Sequence, residues 1–147
     1  MVSPLALLKV KKGLKQGDPL SSYLFVIVME IFTQLLREKS SNSNFHFPWR
    51  CEKTKIINLC FADDLMIFCK GELSSIQCIQ EALVEFEALS GLSPSPSKSN
   101  IFFSGVPTTN KTAILGTLGF QEGSVPVKYL GVPLISTKLK YATVRSL

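Results

Sequence analysis

The chain has 147 residues, of which 46% are hydrophobic and 18% charged. That length fits one modest domain and excludes a large multidomain enzyme, and that apolar share excludes a disordered or fibrous chain. The net charge of +5 is unevenly spread, with lysines at 9, 11, 12 and 15, an acid-rich stretch over 61–90 and a basic stretch over 98–147, which suits either a polyanion gripped around an acidic centre or an ordinary solvated surface.

The opening residues, MVSPLALLKVKK, hold too short an apolar run for a signal peptide, and the lysines follow it. The expectation is an intracellular protein, in nucleus or cytoplasm. Residues 1–17 end in the loop Gly13-Leu14-Lys15-Gln16-Gly17. A helix start follows: Asp18 is the N-cap and Pro19 the first helical residue. Leu20, Tyr23, Leu24, Ile27, Val28, Ile31, Leu35 and Leu36 recur at helical spacing, and Ser40–Asn44 break the helix near Lys39. Its apolar stretch includes Ser21, Ser22, Glu30 and Gln34, so it is expected to fall short of a membrane span and to be a buried helix with no membrane partner.

Residues 45–55 read as a loop or edge segment, because Pro48 interrupts a strand ladder. Within it, Trp49 beside Arg50 is either packing or a stacking surface for nucleic acid. Residues 56–69, IINLCFADDLMIFC, are two short apolar runs around Ala62-Asp63-Asp64, a β-hairpin pattern with two carboxylates at its tip. Ser74 is expected to cap a second helix with Ile76, Ile79, Leu83, Phe86 and Leu89 on one face, ended by Gly91. Residues 90–99 are Pro/Ser-rich and expected to be extended. Asn100–Ser104 reads as a strand, 110–118 as a short helix ended by Gly119, and 127–132 as another strand. The layout is α+β, helices against a small antiparallel sheet in one domain over residues 1–147. The four cysteines, each nine residues from the next, lack zinc spacing and are expected to be reduced, mostly buried thiols.

The sequence has three aspartates, Asp18, Asp63 and Asp64. Two carboxylates set together within apolar runs are costly unless something neutralises them. A hard divalent cation such as Mg²⁺ does so through carboxylate oxygens. On the residues alone a second reading stands beside this one: a solvated Asp-Asp turn.

Phe61-Ala62-Asp63-Asp64 between apolar runs resembles the F/Y-x-D-D motif of reverse transcriptases. Gly13-Leu14-Lys15-Gln16-Gly17-Asp18-Pro19-Leu20-Ser21 resembles the loop and helix start that precede it in LINE-type (non-LTR) retrotransposon reverse transcriptases. Ser90-Gly91-Leu92 with Lys98-Ser99-Asn100 and Ser104-Gly105 resembles the next block, and Lys128-Tyr129-Leu130-Gly131-Val132-Pro133 the one after. The resemblance implies a partial right-hand polymerase palm and an RNA-directed DNA polymerase working by two-metal nucleotidyl transfer. It implies Mg²⁺ or Mn²⁺ as cofactor, and an RNA template, a DNA primer and dNTPs as partners. It assigns Asp63 as principal metal ligand and Asp64 as its neighbour. Gln16 and Gly17 are set against the incoming nucleotide and templating base, and Lys98 near the nucleotide's phosphates. Tyr129, Leu130 and Gly131 form the hairpin that holds the primer end. A solvated Lys98, and Tyr129 and Leu130 as core, remain open readings, and Asp18 is read as a cap rather than a metal ligand.

The sequence also departs from the family. No acidic residue precedes Asp18, so the further metal-binding aspartate is expected to be missing, together with the fingers segments, the thumb and the endonuclease domain. The metal is expected only if another carboxylate completes the site, and the chain alone is expected to be inactive. Pro94 and Ser95 stand where an apolar residue and an asparagine are expected, and the prolines here are expected to displace Lys98. The alternatives are a catalytically dead remnant that binds nucleic acid weakly, and a translated remnant that folds poorly.

Overall fold

A computed structural model describes residues 17–124 and 127–134. The elements run α1 (Pro19–Ser40), β1 (Asn58–Phe61), β2 (Asp64–Ile67), α2 (Leu73–Ser90), β3 (Asn100–Ile101), α3 (Thr108–Leu118), β4 (Gln121–Glu122), β5 (Val127–Tyr129) and β6 (Val132–Leu134). The α+β class is borne out. So is small antiparallel pairing beside the helices: the described strands form three separate pairs, of which β1–β2 and β5–β6 are antiparallel and β3–β4 is parallel. The chain divides into two compact units, residues 1–93 and 94–147.

In the first unit, α1 begins as its residues dictate. The Asp18 carboxylate accepts the Leu20 N–H at 2.9 Å, and Pro19 occupies the first turn. Arg37 and Lys39 lie in the last turn, where cations suit the helix dipole. Only the C-terminal half is packed. Phe32, Leu35 and Leu36 are buried, whereas Leu20, Tyr23, Val26 and Ile27 are exposed. The expected buried helix is corrected to a half-buried one, because periodicity marks an apolar face without saying how much of it a neighbour covers. By length and composition α1 is also long and apolar enough to cross a membrane. This corrects the expectation that its apolar stretch falls short of a span; the core helix of a globular protein passes the same test, and 17% of the most apolar window of α1 is buried.

The neighbour that covers this half is α2. Phe32 and Phe86 meet with ring centroids 4.8 Å apart and tilted by 55°. Ile76, Ile79, Ala82 and Phe86 on α2 are buried, and so are Phe45 and Ile57 from the connecting segments. Lys39 and Glu85 pair at 3.0 Å at the rim, and the Glu85 carboxylate raises the Lys39 ammonium pKa by hydrogen bond and charge. The expected Ser74 cap is corrected by two residues: Glu72 precedes the helix, and its side chain makes no capping bond. Gly91 ends α2 with φ +73°, a left-handed turn that glycine adopts without the usual penalty.

The hairpin β1–β2 is antiparallel, from Asn58↔Ile67 to Phe61↔Asp64. At its open end the Phe68 N–H donates to the Ile57 carbonyl at 2.8 Å. The Asn58 side-chain amide donates to the Thr33 hydroxyl at 2.9 Å, which ties β1 to α1. Residues 45–57 carry no strand, as Pro48 requires. The His46 N–H donates to the buried Ser75 hydroxyl at 3.0 Å, and the Lys70 N–H to the His46 carbonyl at 2.9 Å.

The second unit contains a small β3–α3–β4 crossover, the connection a parallel pair needs. The expected strand over 100–104 shortens to Asn100–Ile101. The expected helix at 110–118 starts two residues earlier, at Thr108. Ile114 is fully buried. Lys111 pairs with Glu122 at 2.7 Å and lies over the Phe103 ring at 5.2 Å. At Gly123 a Cβ would sit 2.3 Å from the Phe102 ring, so a larger residue there requires that ring to shift. The expected single strand at 127–132 is a hairpin, β5–β6, turning at Leu130-Gly131.

Candidate functional site

Asp63 and Asp64 come together at the tip of β1–β2. Phe61 and Asp64 are the last paired residues, so Ala62 and Asp63 form a two-residue turn. Such turns need a positive φ, which glycine or asparagine normally supplies. Here Ala62 takes it, at φ +50°, at a cost of about 1–2 kcal/mol for a residue with a Cβ. The Cys60 thiol donates to the Ala62 carbonyl at 3.7 Å across the same turn. The turn is thus held by β1–β2 pairing on both sides, and β1 is held to α1 by Asn58 and Thr33.

Both aspartates are exposed, as is Phe61 at 61%. The argument that apolar burial demands a counter-ion is corrected: the neighbours in sequence are apolar, but the tip stands in water. What the arrangement offers is two adjacent carboxylates, hard oxygen donors, at an exposed tip. Mg²⁺ takes one or two protein carboxylates and fills its remaining positions with water and phosphate oxygens, so the donor chemistry fits half a site. Among the described residues no group of three or more His, Cys, Asp or Glu side chains gathers as a metal site.

Asp18 is occupied as the cap of α1. Gly17 adopts φ +88° with open space where a Cβ would stand, so backbone conformation, rather than crowding, calls for glycine there. Gln16 lies outside the described residues.

The other candidates belong to the second unit. The expected extended segment breaks at a turn over residues 96–98. The Lys98 N–H donates to the Ser95 carbonyl at 3.1 Å, so Lys98 sits exposed in this turn before β3. Tyr129, Leu130 and Gly131 are brought together at the β5–β6 tip. Leu130 and Gly131 both have positive φ, +51° and +79°, the pattern of a type I′ turn. Leu130 is half exposed in that strained position, and Tyr129 is half-buried. Core packing for Leu130 is thereby excluded.

Sequence reasoning underrated Trp49. It is 77% exposed, with the Arg50 guanidinium 4.8 Å from its ring centroid. The signal available was the tryptophan-arginine pair in a loop. The thiols are likewise less buried than expected: all four are free, but only Cys78 is buried. Desolvation pushes the half-buried Cys69 thiol up to about 12.

The described residues thus form an α+β chain with two adjacent carboxylates on a strained, exposed hairpin tip. Residues 4–134 match the family model described as reverse transcriptase (RNA-dependent DNA polymerase), and the chain belongs to that family. It is 30% identical over 137 residues to the retrovirus-related Pol polyprotein from the type-2 retrotransposable element R2DM of Drosophila melanogaster. That match covers 86% of this chain and 12% of the relative. It is 36% identical over 63 residues to an uncharacterized mitochondrial protein of Arabidopsis thaliana, across 42% of this chain and 52% of that protein. The chain therefore spans from about an eighth to about half of the curated relatives it matches. No solved structure matches it.

Proposed function

We propose that the chain is palm sequence of an RNA-directed DNA polymerase, with Asp63 and Asp64 as metal-binding carboxylates for nucleotidyl transfer. The observation that carries this is the adjacent pair at the exposed, strained tip of β1–β2. Family membership supports an RNA template, a DNA primer and nucleotides as partners. Mg²⁺ or Mn²⁺, when bound, supplies positive charge beside the nucleotide's phosphate oxygens. The chain's own residues do the rest. The hairpin presents two carboxylates at a fixed turn. Gly17 leaves backbone open to close approach by a ligand, Lys98 offers an ammonium to phosphate, and Tyr129–Gly131 offer a hairpin tip to the primer end.

The chain alone lacks activity in this proposal, because its third aspartate is committed to capping α1 and the pair needs a further carboxylate. Primer extension on an RNA template with Mg²⁺ or Mn²⁺ tests it. No incorporation is expected from the chain by itself. Incorporation that disappears in Asp63→Ala refutes the need for another carboxylate. Incorporation that persists in both Asp63→Ala and Asp64→Ala refutes the assignment of the pair.

A further inference from the structure

The loop between α1 and β1 lies away from the carboxylates. Its stems, at His46 and Ile57, are pinned to the open end of the β1–β2 hairpin through Lys70 and Phe68. The aspartates sit at the other end, four strand residues away, or about 13 Å at the usual rise per residue. The loop is compact, since the Cys51 N–H donates to the Pro48 carbonyl and the Lys55 N–H to the Cys51 carbonyl, both at 2.8 Å.

What it presents is an indole and cations. Trp49 is 77% exposed, more than any other large hydrophobic residue in the described structure. Arg50 stacks over its ring at 4.8 Å, and Lys55 lies 4.9 Å from the Phe47 ring centroid. Within residues 48–55 three basic side chains, Arg50, Lys53 and Lys55, face one acidic one, Glu52. An indole this exposed has no packing role that explains it. A flat π-face with a guanidinium beside it and lysines within a few residues is the combination that stacks an unpaired base and neutralises its phosphates.

We propose that the 48–55 loop is a second nucleic-acid contact, in which Trp49 stacks a base of a single strand while Arg50 and Lys53 meet its phosphates. The ligand class is single-stranded RNA or DNA without sequence preference, because every base has a π-face. Duplex is disfavoured, since its bases are already stacked. The inference rests on the nucleic-acid reading of the family, but not on catalysis.

Trp49 is the single tryptophan, so its fluorescence reports this loop alone. The full chain is titrated with dye-labelled oligo-uridine and oligo-thymidine, following dye anisotropy and indole emission together. Saturable quenching at the same midpoint as the anisotropy change is expected, with weaker quenching by duplex. Trp49→Ala is expected to weaken binding about tenfold, and Trp49→Phe to restore most of it. Lys53→Ala is expected to lower the salt slope by about 0.7. Anisotropy that rises without quenching, and that Trp49→Ala leaves unchanged, overturns the loop as the contact while leaving nucleic-acid binding elsewhere intact. No anisotropy change with either oligomer overturns both this inference and the nucleic-acid reading beneath it.

Discussion

Phe32→Ala tests how the first unit supports its hairpin. Phe32 is 1% exposed and meets Phe86 at 4.8 Å. Removing the ring forfeits its burial and leaves a void between α1 and α2, which costs about 3–5 kcal/mol for a Phe→Ala change in a core. With a urea m-value of about 2 kcal/mol/M, the unfolding midpoint falls by roughly 2 M. The adjacent Thr33 holds Asn58 of β1 at 2.9 Å, so loss of the α1–α2 seam also frees the aspartate hairpin. Far-UV circular dichroism in urea is the assay, because α1 and α2 supply 22 and 18 helical residues against 11 in α3. A cycle of Phe32→Leu, Phe86→Leu and the double variant isolates the ring pair, and a coupling of about 0.5–1.5 kcal/mol is expected. A midpoint shift under about 0.5 M, or additivity in the cycle, refutes the reasoning that this ring pair pins the two helices.

Three further outcomes follow from single residues. Ala62→Gly removes a left-handed penalty of about 1–2 kcal/mol and returns about 0.4–1 kcal/mol of chain entropy, so a variant about 0.5–1 kcal/mol more stable in urea is expected; a destabilised variant contradicts the strained turn. The Lys70 ammonium, donating to Glu72, leads in lowering the Glu72 carboxyl pKa, with His46 adding to it and desolvation opposing it. A lowered carboxyl stabilises the fold above its unfolded pKa and loses that contribution as pH falls through the folded one, so Glu72→Gln should flatten the acid limb of a stability–pH curve and leave its alkaline limb alone. Cys69, pushed up to about 12 by desolvation, stays a thiol at pH 8.5; mass-mapped iodoacetamide labelling should modify it more slowly than Cys51 in the folded chain and equally fast in urea, and equal rates in both states contradict its burial.

The start of α1 was legible because its signal is local. Asp18 caps and Pro19 starts the helix through bonds within three residues. The ends of α2 and α3 were legible for the same reason, since Gly91 and Gly119 sit where the chain must turn left-handed. The F-A-D-D hairpin was visible as two apolar runs about a polar break. Its solvent exposure was not, because apolar strand residues look alike whether a neighbour covers them or not. The residue pattern reads the β5–β6 turn as part of one strand and only the family resemblance implies a hairpin there, since Leu130 occupies a backbone position that the pattern assigns to glycine or asparagine.

By itself the sequence determined the start of α1, the ends of α2 and α3, the paired carboxylates and the family, all of which rest on residue order and short-range chemistry. Tertiary structure alone decided three things. Only half of the apolar face of α1 is buried, because α2 packs against Phe32, Leu35 and Leu36 and not against the first turns. The aspartates are solvated, because the hairpin tip extends past its own core. Trp49 stands in water on a basic loop, because His46 and Ile57 anchor the loop's stems and leave the indole outside. Burial is a relation between segments distant in sequence, and no local pattern encodes which segment arrives.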